Sequence, residues 1–233
     1  MLITSLDNPK IKYLAKLNQS KFRRAEGKFI VEGKHLVEEA KRQNVLVEAY
    51  STIEKDGYIQ ITPQIMKKIT NTDTLVTEIG LCQMLKKNEL SDKILLLDGV
   101  QDPGNMGALM RSAKAFGFET IILGDGSVDI YNDKVIRSSQ GAIFKLNFIQ
   151  ESIAEFIINH KDYQIYGTDV VNGISIDEVE NKGKLGIVLG NEGNGIKEET
   201  KAQLKKNIYI PMEDTESLNV SVAGGILMYE LRK

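Results

Sequence analysis

The 233-residue chain carries 30 Lys/Arg against 32 Asp/Glu, a net charge of −2, and is 42% hydrophobic. That composition is ordinary for a globular protein and long enough to build a core without staples. One cysteine and two histidines leave no disulfide framework and no Cys- or His-rich metal centre; no metal is expected. No apolar run approaches the roughly 20 residues of a membrane-spanning helix. The opening MLITSLDNPK has neither the apolar stretch nor the small-residue cleavage site of a signal peptide, so a cytoplasmic protein without membrane contact is expected.

Charge is unevenly spread. Residues 1–93 hold 16 basic against 12 acidic side chains, and residues 94–233 hold 14 against 20. Between Asn8 and Lys28 stand seven basic residues and one acid, Glu26. Such a block supplies phosphate contacts or simply a solvated helix face.

In chain order, Ile11, Leu14 and Leu17 sit at helical spacing. Lys28–Gly33 reads as a strand, His35–Ala40 as the start of a helix and Val45–Tyr50 as a strand. Thr62 caps a short helix running to Ile69, with Pro63 at its first position. Thr74–Gly80 completes a small α/β unit. The polar stretch Leu85–Lys93 marks a boundary, which gives domains at 1–90 and 91–233. The second domain alternates strands (Ile94–Asp98, Thr120–Gly124, Gln164–Thr168, Gly186–Gly190, Ile208–Pro211) with helices (Met106–Phe116, Asp133–Gln140, Ile153–His160 and Asn219 onward). Strands this apolar, alternating with helices, predict a mostly parallel sheet covered on both faces.

Three junctions at strand C-terminal ends stand out, the edge where open α/β sheets bind ligands. In LLLDGVQDPGNMGALMRSAKAFGF, Asn105 is placed to cap a helix, and Arg111 lies off its apolar stripe. In IVLGNEGNGI, three glycines surround Asn191, Glu192 and Asn194. Their backbone freedom suits close approach to a flat polar ligand such as adenine, yet neither a dinucleotide fingerprint nor a P-loop ending is present. In IYIPMEDTESLNVSVAGGILMYEL, Ser217-Leu218-Asn219 precede a last helix with adjacent glycines. Each glycine costs about 1 kcal/mol against alanine, so close backbone packing is expected there.

Together these blocks resemble the SpoU/TrmH family of RNA ribose 2′-O-methyltransferases, in the SPOUT superfamily, and they keep its order and spacing. The block NPKIKYLAKLNQSKFRRAEGKFIVEGKHLVEEA resembles the ribosomal-protein-like substrate-binding domain that precedes the methyltransferase domain in many members. The resemblance implies an α/β fold with a deep trefoil knot, S-adenosylmethionine bound in the knot, and a homodimer formed through the knotted domain. It places Thr168, Gly190, Ile210 and Leu218 on the cofactor. It assigns Asn105, Arg111, Glu192, Ser217 and Asn219 to catalysis: Arg111 engages the 2′-hydroxyl, Asn105 places the ribose or Arg111, and Glu192 orients Arg111. Ser217 and Asn219 complete the site near the methyl donor. Because arginine stays protonated, electrostatic lowering of the hydroxyl pKa and phosphate positioning suit Arg111 better than general-base action. Lys10, Lys16, Lys21, Arg23 and Arg24 are the expected RNA phosphate contacts, with Phe22 or Tyr13 available to stack on a base or to pack the core. His35 and Cys82 are structural. The implied target is RNA, ribosomal rather than transfer RNA. The competing readings are a catalytically silent RNA-binding protein in ribosome assembly, a tRNA methyltransferase, and a small-molecule enzyme with a nucleotide cofactor.

Overall fold

The computed structural model describes residues 2–72, 75–85, 89–170, 172–179, 183–214 and 217–232. The chain divides into two compact units, one formed by Met1–Leu85 with Asp129–Phe144 and the other by Lys86–Val128 with Lys145–Lys233.

The first unit is built on a five-stranded mixed sheet. Its strands are β1 (Leu2–Ile3), β2 (Lys28–Glu32), β3 (Leu46–Ser51), β4 (Ile59–Ile61) and β5 (Glu78–Gln83), in the spatial order β1-β4-β3-β5-β2. β5 runs antiparallel to both its neighbours. The expected strand at Thr74–Gly80 is therefore displaced toward Gln83, and Thr74 itself lies outside the described residues. Four helices accompany the sheet: α1 (Pro9–Lys16), α2 (Ser20–Glu26), α3 (Lys34–Arg42) and α4 (Pro63–Ile69). Thr62 caps α4 as the sequence predicts, its hydroxyl accepting from the Ile65 amide at 3.3 Å. Ile11, Leu14 and Leu17 join Ile65, Met66 and Ile69 in one core cluster.

A helix expected in the second domain belongs to this unit. α6 (Asp133–Ser139) packs on β2, and Phe29 stacks against Tyr131 and Phe144, with centroids 4.7 and 6.3 Å away. Arg23 turns into this interface instead of toward RNA. It is 7% exposed, donates to the Leu17 and Asn18 carbonyls, and pairs with Asp129 at 2.5 Å. The expectation that Arg23 meets phosphate is corrected: its charge is consumed inside the fold, because a buried guanidinium requires partners. Lys10, Lys16, Lys21 and Arg24 remain exposed, although Lys10 is paired with Glu48 at 2.5 Å.

The second unit carries seven parallel strands, β6 (Lys93–Asp98), β7 (Thr120–Leu123), β8 (Asn147–Gln150), β9 (Gln164–Thr168), β10 (Ile174–Ser175), β11 (Leu185–Gly190) and β12 (Lys206–Tyr209), in the order β10-β12-β9-β11-β6-β7-β8. β6 and β11 lie at the middle of the sheet, and apart from Lys93 and Asp98 at the ends of β6 they carry no polar side chain. The chain moves outward from β6 through β7 to β8, then returns to β9 on the far side of β11. That reversal opens a crevice at the strand C-termini. Around it stand α5 (Pro103–Phe116), α7 (Ile153–Asn159), α8 (Glu198–Lys201) and α9 (Val220–Glu230).

α5 and α9 pack closely. A Cβ on Gly224 would lie 2.5 Å from Leu109 Cδ2 and 2.7 Å from Leu189 Cδ1. The glycine in the middle of α9 is thus required by contact with α5 and β11, as its helix-breaking cost suggested.

Candidate active site

The three glycine-bearing junctions converge at the C-terminal edge of the parallel sheet. The second and third of them, with the end of β9, border a crevice of about 470 Å³, whose lining includes Thr168, Gly190, Ile210 and Leu218, the four residues expected on the cofactor. Glu192, Ser217 and Asn219 line it as well. Asn105 and Arg111 are not among its lining residues.

The glycine loop is held from within. Asn191 and Gly195 exchange both backbone hydrogen bonds at 2.9 Å, folding the loop back onto the end of β11. A Cβ on Gly190 would fall 2.2 Å from the Gly195 carbonyl carbon and Ile196 nitrogen. Gly190 is therefore demanded by the loop's own backbone. Asn191 Oδ1 accepts from the amides of Gly193 and Asn194 at 3.0 and 3.1 Å, and its Nδ2 donates to the Gly99 carbonyl at 2.9 Å. The loop's exit is fixed by Asp98, which is 2% exposed. Asp98 Oδ2 accepts from the Lys197 amide at 3.0 Å, and Lys197 Nζ stands 3.6 Å from Oδ1 while donating to the Asp125 carbonyl at 2.8 Å. Neither Asn191 nor Lys197 was singled out for a role from sequence. The signal for Asn191 was present: an asparagine opening a glycine-rich turn is the residue that bonds its own backbone.

Asn105 departs from its sequence reading. The cap of α5 is Asp102, whose carboxylate accepts from the Asn105 amide at 2.8 Å. Pro103 at the first helical position moves the start of the helix three residues earlier than expected. The Asn105 side chain is thereby released for tertiary bonds. Its Nδ2 donates to Glu192 Oε1 at 3.1 Å, and its Oδ1 accepts from Asn219 Nδ2 at 3.0 Å. Asn219 in turn caps α9, its Oδ1 accepting from the amides of Ser221 and Val222. One side-chain chain, Glu192–Asn105–Asn219, therefore links the ends of β11, α5 and α9.

Glu192 also accepts from the amides of Gln101 and Asp102, at 3.1 and 3.0 Å. Partial burial pushes its carboxyl upward, but the hydrogen bonds from Asp102, Asn105 and Gln101 outweigh that and hold it below the usual glutamate value. The expectation that Glu192 orients Arg111 is corrected: in this chain the carboxylate clamps Asn105 and the loop before α5. Arg111 lies exposed on α5, and among the described residues it makes no ion pair or hydrogen bond. A guanidinium left without a partner among the described residues is available to an external anion.

The crevice fits S-adenosylmethionine in size and chemistry. Its volume falls within the usual range for small-ligand sites, and its lining combines apolar side chains with the glycine loop. Among the described residues no cluster of His, Cys, Asp and Glu suits a metal ion, and no helix is long and apolar enough to cross a membrane.

Residues 92–229 match the model of the SpoU rRNA methylase family, and residues 8–76 match an MRM3-like substrate-binding domain. The chain is 33% identical over 244 residues to the 23S rRNA (guanosine(2553)-2′-O)-methyltransferase RlmP of Bacillus subtilis, covering 99% of this chain and 98% of that protein. A crystal structure of an RNA 2′-O ribose methyltransferase superposes with a TM-score of 0.81 at 30% identity, over 99% of this chain and 98% of the other. The AdoMet-bound rRNA methyltransferase of Sinorhizobium meliloti shares the fold with a TM-score of 0.87 at 24% identity, over 100% and 97%. The chain belongs to the SpoU rRNA methylase family.

Proposed function

We propose that the protein transfers a methyl group from S-adenosylmethionine to a ribose 2′-hydroxyl of ribosomal RNA. The observation that carries this reading is the crevice itself. Strand ends from three distant stretches meet around one cavity, and every residue expected on the cofactor lines it. Ribosomal RNA is favoured over transfer RNA by the full-length likeness to RlmP.

S-adenosylmethionine supplies a methyl already activated on sulfonium. What remains for the protein is to orient, to ease deprotonation and to exclude water. The glycine loop offers backbone amides and carbonyls, and Leu189, Ile208, Ile210 and Leu227 offer an apolar wall. The Glu192–Asn105–Asn219 chain ties the glycine loop to the helix caps beside the crevice. Ser217 stands on the crevice wall, beside the position the ribose would take. Arg111, exposed and protonated, holds an RNA phosphate and lowers the pKa of the nearby hydroxyl through its charge.

The first unit serves RNA recognition, with Lys16, Lys21 and Arg24 exposed for phosphate contacts that position without reading sequence. The second unit carries methyl transfer and, by family likeness, a trefoil knot. Its all-parallel sheet, with α9 returning onto α5 after β12, supports that threading. A homodimer in the cytoplasm completes the reading; its support is an apolar stripe on α9.

The decisive experiment measures methyl transfer by Arg111→Ala on a ribosomal RNA fragment. We expect at least a hundredfold loss of turnover, comparable to removal of a transition-state donor, with cofactor affinity by calorimetry within about threefold of wild type because Arg111 lies outside the crevice. Normal turnover in that variant would overturn the site.

A further inference from the structure

A second cavity, of about 1000 Å³, lies in the methyltransferase unit away from the crevice. It opens where α7 ends and where β9, β10 and β12 begin, so the parallel sheet separates it from the cofactor edge. Gln164 borders this cavity and Thr168 borders the crevice. These residues are the two ends of β9, about 13 Å apart at the rise of a parallel strand.

Three cations border the cavity: Lys161, Lys205 and Lys206. All are exposed, and among the described residues none has an ion-pair partner, although nearby Lys184 and Lys201 are both paired. One acid, Glu178, borders it too. Aromatic rings accompany the charge. His160 lies half-buried in the lining, with one ring face stacked on Phe156 at 3.9 Å. Its Nδ1 lies 3.0 Å from the Phe156 carbonyl, an acceptor, so Nδ1 carries the proton in the neutral ring and Nε2 is left as an acceptor. Tyr163 presents its edge beside it, 6.4 Å from the His160 ring.

We propose that this cavity takes an unpaired nucleotide of the substrate RNA, its base against His160 and its flanking phosphates on Lys161, Lys205 and Lys206. The inference rests on the RNA-modifying reading above. Excess free positive charge identifies a polyanion, and rings at the base of the cavity distinguish a nucleotide from an acidic peptide, because single-stranded RNA binds by stacking plus phosphate contact. The cavity is large enough for a nucleotide by the volumes small-ligand sites span. The acidic balance of residues 94–233 makes a local cationic rim the more necessary, since no uniform field draws RNA to this unit.

The test is RNA binding as a function of salt, with a ribosomal RNA fragment, for wild type and for K161A/K205A/K206A. Three lost single-strand phosphate contacts should flatten the slope of log affinity against log salt by about 2, with affinity near physiological salt falling about tenfold. The triple arginine variant should restore the slope. His160→Ala should weaken binding about fivefold with the slope unchanged, since stacking carries no counterion. Calorimetric cofactor affinity, unchanged in each variant, shows that the crevice is intact. Unaltered affinity and slope in the triple alanine variant would overturn the proposal, and so would an equal loss of affinity for a polyglutamate peptide. A wild-type protein that binds RNA with the lysine-dependent slope yet transfers no methyl would refute the methyltransferase reading and leave this site standing. A wild-type protein that binds no RNA refutes both.

Discussion

Asn105 shows how one proline changes a residue's work. An asparagine before an apolar helix reads as a cap, but Pro103 starts α5 earlier and gives the cap to Asp102. The freed amide then accepts from Asn219 and donates to Glu192. Both ends of that amide are used, so its orientation is fixed without reference to any ligand. Glu192 carries most of the load, accepting from two backbone amides and Asn105 as a carboxylate held ionised. Glu192→Gln replaces one acceptor oxygen by a donor that faces another donor. We expect methyl transfer to fall 10- to 100-fold, the equivalent of one or two charge-assisted hydrogen bonds, while Arg111 remains in place. Equal kinetic constants for E192Q and wild type would exclude the clamp. Arg23 gives the opposite lesson. Its neighbours in sequence are basic and exposed, and nothing local marks it as different. Its partner, Asp129, lies 106 residues away, and only the fold brings that carboxylate within reach.

The elements were largely legible because their patterns are strong. β6, β7 and β11 are short, largely apolar runs between turn residues, and α4 announces itself through Thr62 and Pro63. What escaped reading has a physical cause in each instance. β1, β4 and β10 have two or three residues, too few to show a period. α2 carries two arginines and a lysine in seven residues, so composition reads as solvated charge. The sequence predicts α6 as a helix but not the unit it joins, because the contacts that place it run to β2. The adjacent glycines of α9 predict close packing, and only the fold separates their roles. Gly224 sits against Leu109 and Leu189 at distances no real Cβ tolerates, whereas a Cβ on Gly225 would meet Ser112 Oγ at an ordinary 3.5 Å. We therefore expect opposite signs. Gly224→Ala should destabilise by about 1–3 kcal/mol through overpacking and weaken cofactor binding, since Leu189 lines the crevice. Gly225→Ala should stabilise by up to about 1 kcal/mol through helix propensity. Thermal unfolding of the two variants decides it; a shared direction would rule out the packing account.

At the scale of the molecule, charge and exposed apolar surface divide the labour. The second unit sets free lysines beside the cavity at the sheet edge opposite the crevice, while α9 presents the apolar surface. Val222, Ile226 and Tyr229 are 50%, 36% and 46% exposed and recur at helical spacing, so they form one stripe. The opposite side of the same helix, Gly224, Leu227 and Met228, is buried against its own unit. Tyr229 extends the stripe to α5 through an edge-on contact with Phe116, centroids 5.5 Å apart. A helix that is apolar on both sides needs a second partner, and a self-complementary patch is the simplest source of one. Val222 and Ile226 are uncharged, and the Arg232 guanidinium lies over the Tyr229 ring at one end of the stripe, so a second copy of the same helix can oppose the apolar part without burying an ion. Ile226→Lys with Tyr229→Lys would place ammonium groups in that contact, where desolvation outweighs any gain. We expect wild type to sediment as a dimer at micromolar concentration, in the range of a moderate isologous interface, and the double variant as a monomer. Far-UV circular dichroism should stay unchanged, because both side chains point away from the core. Identical sedimentation of the two proteins would assign the stripe to something other than a second subunit.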